Sequence, residues 1–166
     1  MKNKMIAIVS WIMALWMCKV FLFSLPYKFT NHPDTQHIFG TIGEWMTGVV
    51  GAGIGGVFSN YGTYIVGAFE LITALILLLP ALVWLLSLVG GSGTLGVRAK
   101  FHRIGGALAS MVMAGAVFFH LFTPLGVEVL HQGKPDGGSL FFSAVSILVC
   151  GIIMYFMNSQ VTDGKR

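Results

Sequence analysis

Between Thr63 and Leu88 the chain carries one charge, Glu70, in an otherwise apolar run. At about 1.5 Å per residue, a helix of that length crosses a hydrocarbon core of roughly 30 Å with some tilt. A carboxylate at that depth has to face a protein interior or water, and it needs a partner. This single stretch therefore demands a membrane bundle with other helices packed around it.

The rest of the chain agrees. Only 10% of the 166 residues are charged, 55% are hydrophobic, and the mean hydropathy is +0.82. Soluble domains carry about 25% charged residues. The expected fold is all-α, a four-helix integral membrane bundle forming one transmembrane domain over residues 1–166, with spans at about 5–25, 63–88, 104–125 and 139–157. Pro80 predicts a bend in the second span. A pI near 9.3 does not indicate nucleic acid, because the basic residues follow membrane topology. Seven of them, Lys2, Lys4, Arg98, Lys100, Arg103, Lys165 and Arg166, lie on one side, against Lys28 and Lys134 on the other. The positive-inside rule then makes both termini cytoplasmic. Span one starts with basic residues but lacks a small-x-small cleavage site, so it reads as a retained helix. Cys18 and Cys150 lie within spans, at depths that do not suit a disulfide.

Residues 26–60 precede the second span. Asn31 or His32 can cap a helix that starts at Pro33, with Asp34 at its positive end. Ile38, Phe39, Ile42, Trp45 and Met46 follow at helical spacing, which predicts an amphipathic or re-entrant segment on the outer face. Gly51, Gly53 and Gly56 match G-x-G-x-x-G, but the strand and helix that a dinucleotide site needs are missing. A close-packed turn is the better reading. Gly106, Ser110 and Ala114 in span three form a small-residue stripe. Ser139, Ser143, Ser146 and Cys150 share one face of span four, expected to point inward. A Lys134-Pro-Asp-Gly turn is expected in the loop between these spans.

Counted from the outer ends, Lys19 lies roughly 9 Å deep, Glu70 and Ser146 roughly 10 Å and His120 roughly 8 Å. Four polar groups from four helices share one level, and Lys19 is the expected partner of Glu70, with His120 and Ser146 completing the hydrogen bonds. Two accounts fit: an ion pair that fixes helix register, or a site open to the outer surface. Lys28, His32, Asp34, His37, Glu128 and His131 gather in the outer loops. No two of these histidines have ligand spacing on one helix face, so no metal is predicted.

Three stretches resemble a known family. They are Leu25-Pro-Tyr-Lys-Phe-Thr, Gly67-Ala-Phe-Glu-Leu-Ile-Thr-Ala-Leu-Ile-Leu-Leu-Leu-Pro, and His120-Leu-Phe-Thr-Pro-Leu-Gly-Val-Glu-Val followed by Asp136-Gly-Gly. In this order they resemble the DoxX-like four-helix membrane proteins, a group related to DoxD and MauE, over most of residues 5–157. The stretch from Val89 to Arg103 looks longer than the family's usual connection. The resemblance implies a protein of the bacterial inner membrane, matches Lys28, Phe29, Glu70 and His120 to family positions, and assigns no catalytic role.

Three functions follow as expectations. One is a redox-associated subunit that docks a partner oxidoreductase or shapes a quinone pocket near Glu70. The second is a binding or transport protein with an outward polar cleft for a lipid, small solute or proton. The third is a structural subunit in contact with membrane lipids, alone or as a homo-oligomer. Catalysis and cofactor stay open, with a quinone or lipid as candidate ligand. No cysteine or histidine pair suits a haem or cluster, so an electron carrier in its own right is not expected.

Overall fold

The computed structural model describes residues 2–90 and 95–163. It is all-α, with five helices: α1 Lys2–Phe29, α2 Pro33–Val50, α3 Ala52–Gly90, α4 Leu95–Phe122 and α5 Ser139–Asp163. All but α2 are long and apolar enough to cross a membrane, and these four pack as a bundle. In lipid every backbone polar group must be satisfied internally, which is why apolar runs of this length become helices.

Several helix ends differ from the sequence expectation, α5 among them, which runs on to Asp163 rather than 157. α1 continues past Pro26 to Phe29 rather than stopping at Leu25. It then closes with Asn31 in the left-handed region at φ 50°, where Asn31 N donates to Lys28 O and His32 N to Tyr27 O. That is the double bond of a Schellman ending, and asparagine tolerates its φ. Lys28 is thereby a helix residue, not a loop residue. α3 starts eleven residues before Thr63, so the glycine-rich stretch is helical. The turn is confined to Gly51, at φ 98°, a conformation that favours glycine. α4 already includes Arg98, Lys100 and Arg103, which had been expected in a loop. Residues 91–94 of that loop, and Lys165 and Arg166, lie outside the described residues.

α2 begins with the His32 side chain accepting from Asp34 N, so His32 is the cap and Pro33 occupies the first position. Its buried face, Thr35, Phe39, Ile42 and Gly43, lies along the first half of α3. The glycines do let these two backbones approach. A Cβ on Gly43 would stand 2.6 Å from Ser59 Cβ, and one on Gly62 would stand 2.8 Å from the Phe39 ring. The amphipathic segment therefore folds back on α3 as a helical hairpin.

The bundle core is Ala14, Met17, Phe21, Ala74, Leu77, Ala109, Met113, Ala144, Ile147 and Met154. With no water to expel between helices in lipid, small residues and close backbone contact hold such a bundle together. α4 and α5 approach closely: a Cβ on Gly106 would lie 2.8 Å from Gly151 O. The Ser110 hydroxyl donates to Gly106 O on its own helix at 2.9 Å and also lies 3.4 Å from Leu148 O across the seam. Ala114, third of the expected stripe, is exposed. On α5 the inward face is Ala144, Ile147, Gly151, Met154 and Asn158, displaced by one residue from the expected serine face. Ser143, Ser146 and Cys150 flank it half-buried, and Ser139 is exposed.

Between α4 and α5 a short hairpin pairs Leu130–His131 with Lys134–Pro135. Its turn is Gln132-Gly133, both at positive φ, so the reversal falls earlier than the expected Lys134-Pro-Asp-Gly turn. Asp136 instead caps α5. Burial by itself would raise its carboxyl pKa. The N–H groups of Leu140, Val129 and Gly138 and the Ser139 hydroxyl outweigh burial and hold it below the ordinary aspartate value. The cap therefore contributes fully above the ordinary aspartate range and is lost as pH falls through the lower native value.

Candidate functional site

Glu70 is buried on α3, facing α1. Its Oε2 is 2.8 Å from Lys28 Nζ and accepts the Ser24 hydroxyl at 2.7 Å. Ser24 and Lys28 are four residues apart on α1 and so share a face. Thr63 Oγ1 donates to Lys28 O at 3.1 Å and ties the end of α1 to α3. Gly67 leaves room for the aliphatic stem of Lys28, since a Cβ there would meet Lys28 Cβ at 3.3 Å and Cδ at 3.4 Å.

The partner of Glu70 is thus Lys28, and the expected Lys19 pairing is corrected. Ending α1 at Leu25 placed Lys28 outside the span and brought Lys19 to the Glu70 level. The extra helical turn moves Lys19 deeper and puts Lys28 opposite the carboxylate. Lys19 is exposed, with Nζ 5.7 Å from the Trp16 ring centroid. Ser146 accepts from Trp16 Nε1 at 3.1 Å rather than from the charged cluster.

His120 is 8% exposed and sits in the last turn of α4. Its Nδ1 lies 2.7 Å from Gly126 O, and its ring makes an edge contact with Phe141 at 5.6 Å. Gly126 has φ 73°, so the chain turns back over the helix end and presents its carbonyl to the histidine.

A cavity of about 730 Å³ joins these groups. Val20, Phe21, Ile65, Phe69, Val112, Met113, Ala116 and Leu140 make most of its wall apolar, while Lys19, Lys28, Glu70 and His120 also reach it. Asp34 and His131 line it from α2 and the hairpin. Asp34 Oδ2 is 2.9 Å from His131 Nδ1, and both Asp34 oxygens accept from Gln132 N at 3.2 Å. The hairpin is thereby fastened to the start of α2. His32 Nδ1 is 3.6 Å from the same carboxylate, but it already accepts from Asp34 N and is not a second donor there. Tyr27 packs against both imidazoles. His37 and Glu128 are exposed and do not line the cavity.

A second polar network escaped the sequence reading. Near the other end of the bundle, Arg98 Nη1 donates to Asn158 Oδ1 at 2.9 Å, and Asn158 Nδ2 donates to Ser10 Oγ at 3.0 Å. Ser10 Oγ lies 2.6 Å from His102 Nδ1. Ser10, His102 and Asn158 are each 0% exposed. His102 stacks edge-on to Trp11, and its Nε2 has no partner at hydrogen-bonding geometry, leaving a weaker interaction with the Leu77 backbone. Ser10 and Asn158 are single uncharged members on α1 and α5, and Arg98 and His102, one turn apart on α4, lie in a segment whose sequence reads as a loop.

The chemistry on offer at the cavity is binding: a mostly apolar volume of ligand size with a few polar groups in its lining. Comparison with known protein families, with curated proteins and with solved structures gives no match.

Proposed function

We propose that this multi-pass membrane protein is a non-catalytic subunit that holds one membrane amphiphile, a quinone or a lipid, for a membrane-linked redox system. The observation that carries the binding reading is the 730 Å³ cavity, apolar over most of its wall, with Lys28, Glu70 and His120 among its lining. Ligand pockets are about 300–1,000 Å³ and mostly apolar, with few polar groups that orient the ligand. The redox assignment rests on the DoxX-like resemblance, which matched these same three residues. A partner oxidoreductase belongs to that proposal.

Gly115 provides the test. It lines the cavity, and a Cβ added there meets nothing within 4 Å. Gly115→Phe should occupy part of the volume without disturbing the helix and should lower the amount of any co-purifying quinone or lipid, as read by mass spectrometry of the detergent-solubilised protein. Thermal stability should hold, since a Cβ at this position meets nothing within 4 Å and phenylalanine is a better helix former than glycine. Equal ligand content in wild type and variant, or none in either, would overturn the binding reading and favour a purely structural subunit.

Orientation is part of the same proposal. The basic asymmetry supports cytoplasmic termini in the bacterial inner membrane and a cavity in the outer leaflet. Gln36 on α2 and Lys100 on α4 are both exposed. Cysteine placed at 36 should react with an impermeant maleimide from the periplasm, and cysteine at 100 should not. The opposite pattern would reverse the orientation.

A further inference from the structure

His120 Nδ1 faces a carbonyl oxygen, which can only accept, so Nδ1 carries the proton. In the neutral ring Nε2 is then a bare acceptor. No hydrogen bond to Nε2 is formed among the described residues, although the residue is more than nine-tenths buried. The only fully buried side-chain polar atom left without a partner among them is His102 Nε2, so His120 Nε2 reaches open space, and His120 lines the cavity. Glu70 adds to the imbalance. Both Ser24 and Lys28 bind its Oε2, which leaves lone pairs on Oε1. The cavity lining thus includes acceptors that the protein does not fill.

We infer that the site selects an amphiphile whose head carries a hydroxyl, of the hydroquinone or phenol kind, and that His120 Nε2 accepts its hydrogen bond. This rests on the amphiphile-binding reading and deepens it. An acceptor-only head leaves Nε2 desolvated and unpaired, whereas a hydroxyl satisfies it, and the unmade bond is the costly state. The Gly126 carbonyl is the positioning group: by holding the proton on Nδ1 it keeps Nε2 available as an acceptor.

The probes are dodecylphenol and its methyl ether, which share a chain and differ in one donor. Binding is measured on purified full-length protein in detergent. Tryptophan fluorescence excited on the red edge reads it, because Trp16 lines the cavity. The phenol should bind about tenfold more tightly than the ether. His120→Phe keeps an aromatic ring against Phe141, and it should bring the ratio near unity while both probes still bind. Equal affinities in the wild type, or a ratio that His120→Phe leaves unchanged, would overturn the hydroxyl inference and leave amphiphile binding standing. If neither probe binds, the binding reading falls and the inference falls with it.

Discussion

Glu70→Gln should destabilise the protein by about 3–5 kcal/mol, because it leaves the Lys28 ammonium in the bundle without its counter-charge. Side-chain exposures of 15% for Lys28 and 5% for Glu70 give water little chance to replace the lost partner. Lys28→Met on that background should recover much of the loss, since replacing both members of a buried pair with apolar groups is often close to neutral. Unfolding in detergent for wild type, both single variants and the double variant measures the coupling. Strictly additive effects would show that the 2.8 Å contact contributes nothing. Lys19→Met is the control. Its exposed ammonium is not paired with Glu70, so it should change stability by less than about 0.5 kcal/mol.

Asn158→Leu should cost about 2–4 kcal/mol, since it removes an amide that serves three helices at once. Its oxygen accepts from Arg98 on α4, and its nitrogen donates to Ser10 on α1 and to Met154 O on its own helix. Leucine keeps most of the volume, so the loss would come from lost hydrogen bonds rather than from a cavity. Ser10 is fully buried and would keep only its contact with His102, whereas Arg98 is half-buried. The same unfolding measurement decides it. A change within 0.5 kcal/mol of wild type, the range typical of neutral surface substitutions, would mean that the network is not a stabilising clamp. Thr41→Val is a suitable comparison, because Thr41 bonds only the carbonyl one turn earlier on its own helix.

These two clusters show what could be seen in the chain and what could not. Glu70 stood out because it is a lone charge in a long apolar run, and His120 because it lies just inside the end of another. Ser10, His102 and Asn158 gave no such signal. Ser10 and Asn158 are uncharged, and His102 sits between Arg98 and Arg103 in a segment that looked like loop. Only the rotation of α1, α4 and α5 about their axes turns these residues toward one another. The serine face of α5 failed for a related reason. Composition marked it as polar, but the contact between Gly106 and Gly151 sets the helix rotation, and it brings the neighbouring positions inward instead.

The sequence by itself determined the architecture: four apolar spans, an amphipathic α2 opened by Asn31 or His32 before Pro33, and a carboxylate that had to turn inward. These are one-dimensional properties, since lipid forces each apolar run to satisfy its own backbone as a helix. Tertiary structure alone decided the partners. Glu70 meets Lys28 because α1 passes through Pro26 for one more turn before Asn31 ends it. Proline lacks a donor and strains the turn before it, so the sequence favours a stop there. Packing against α3, with Gly67 admitting the Lys28 stem and Thr63 binding its carbonyl, outweighs that local preference.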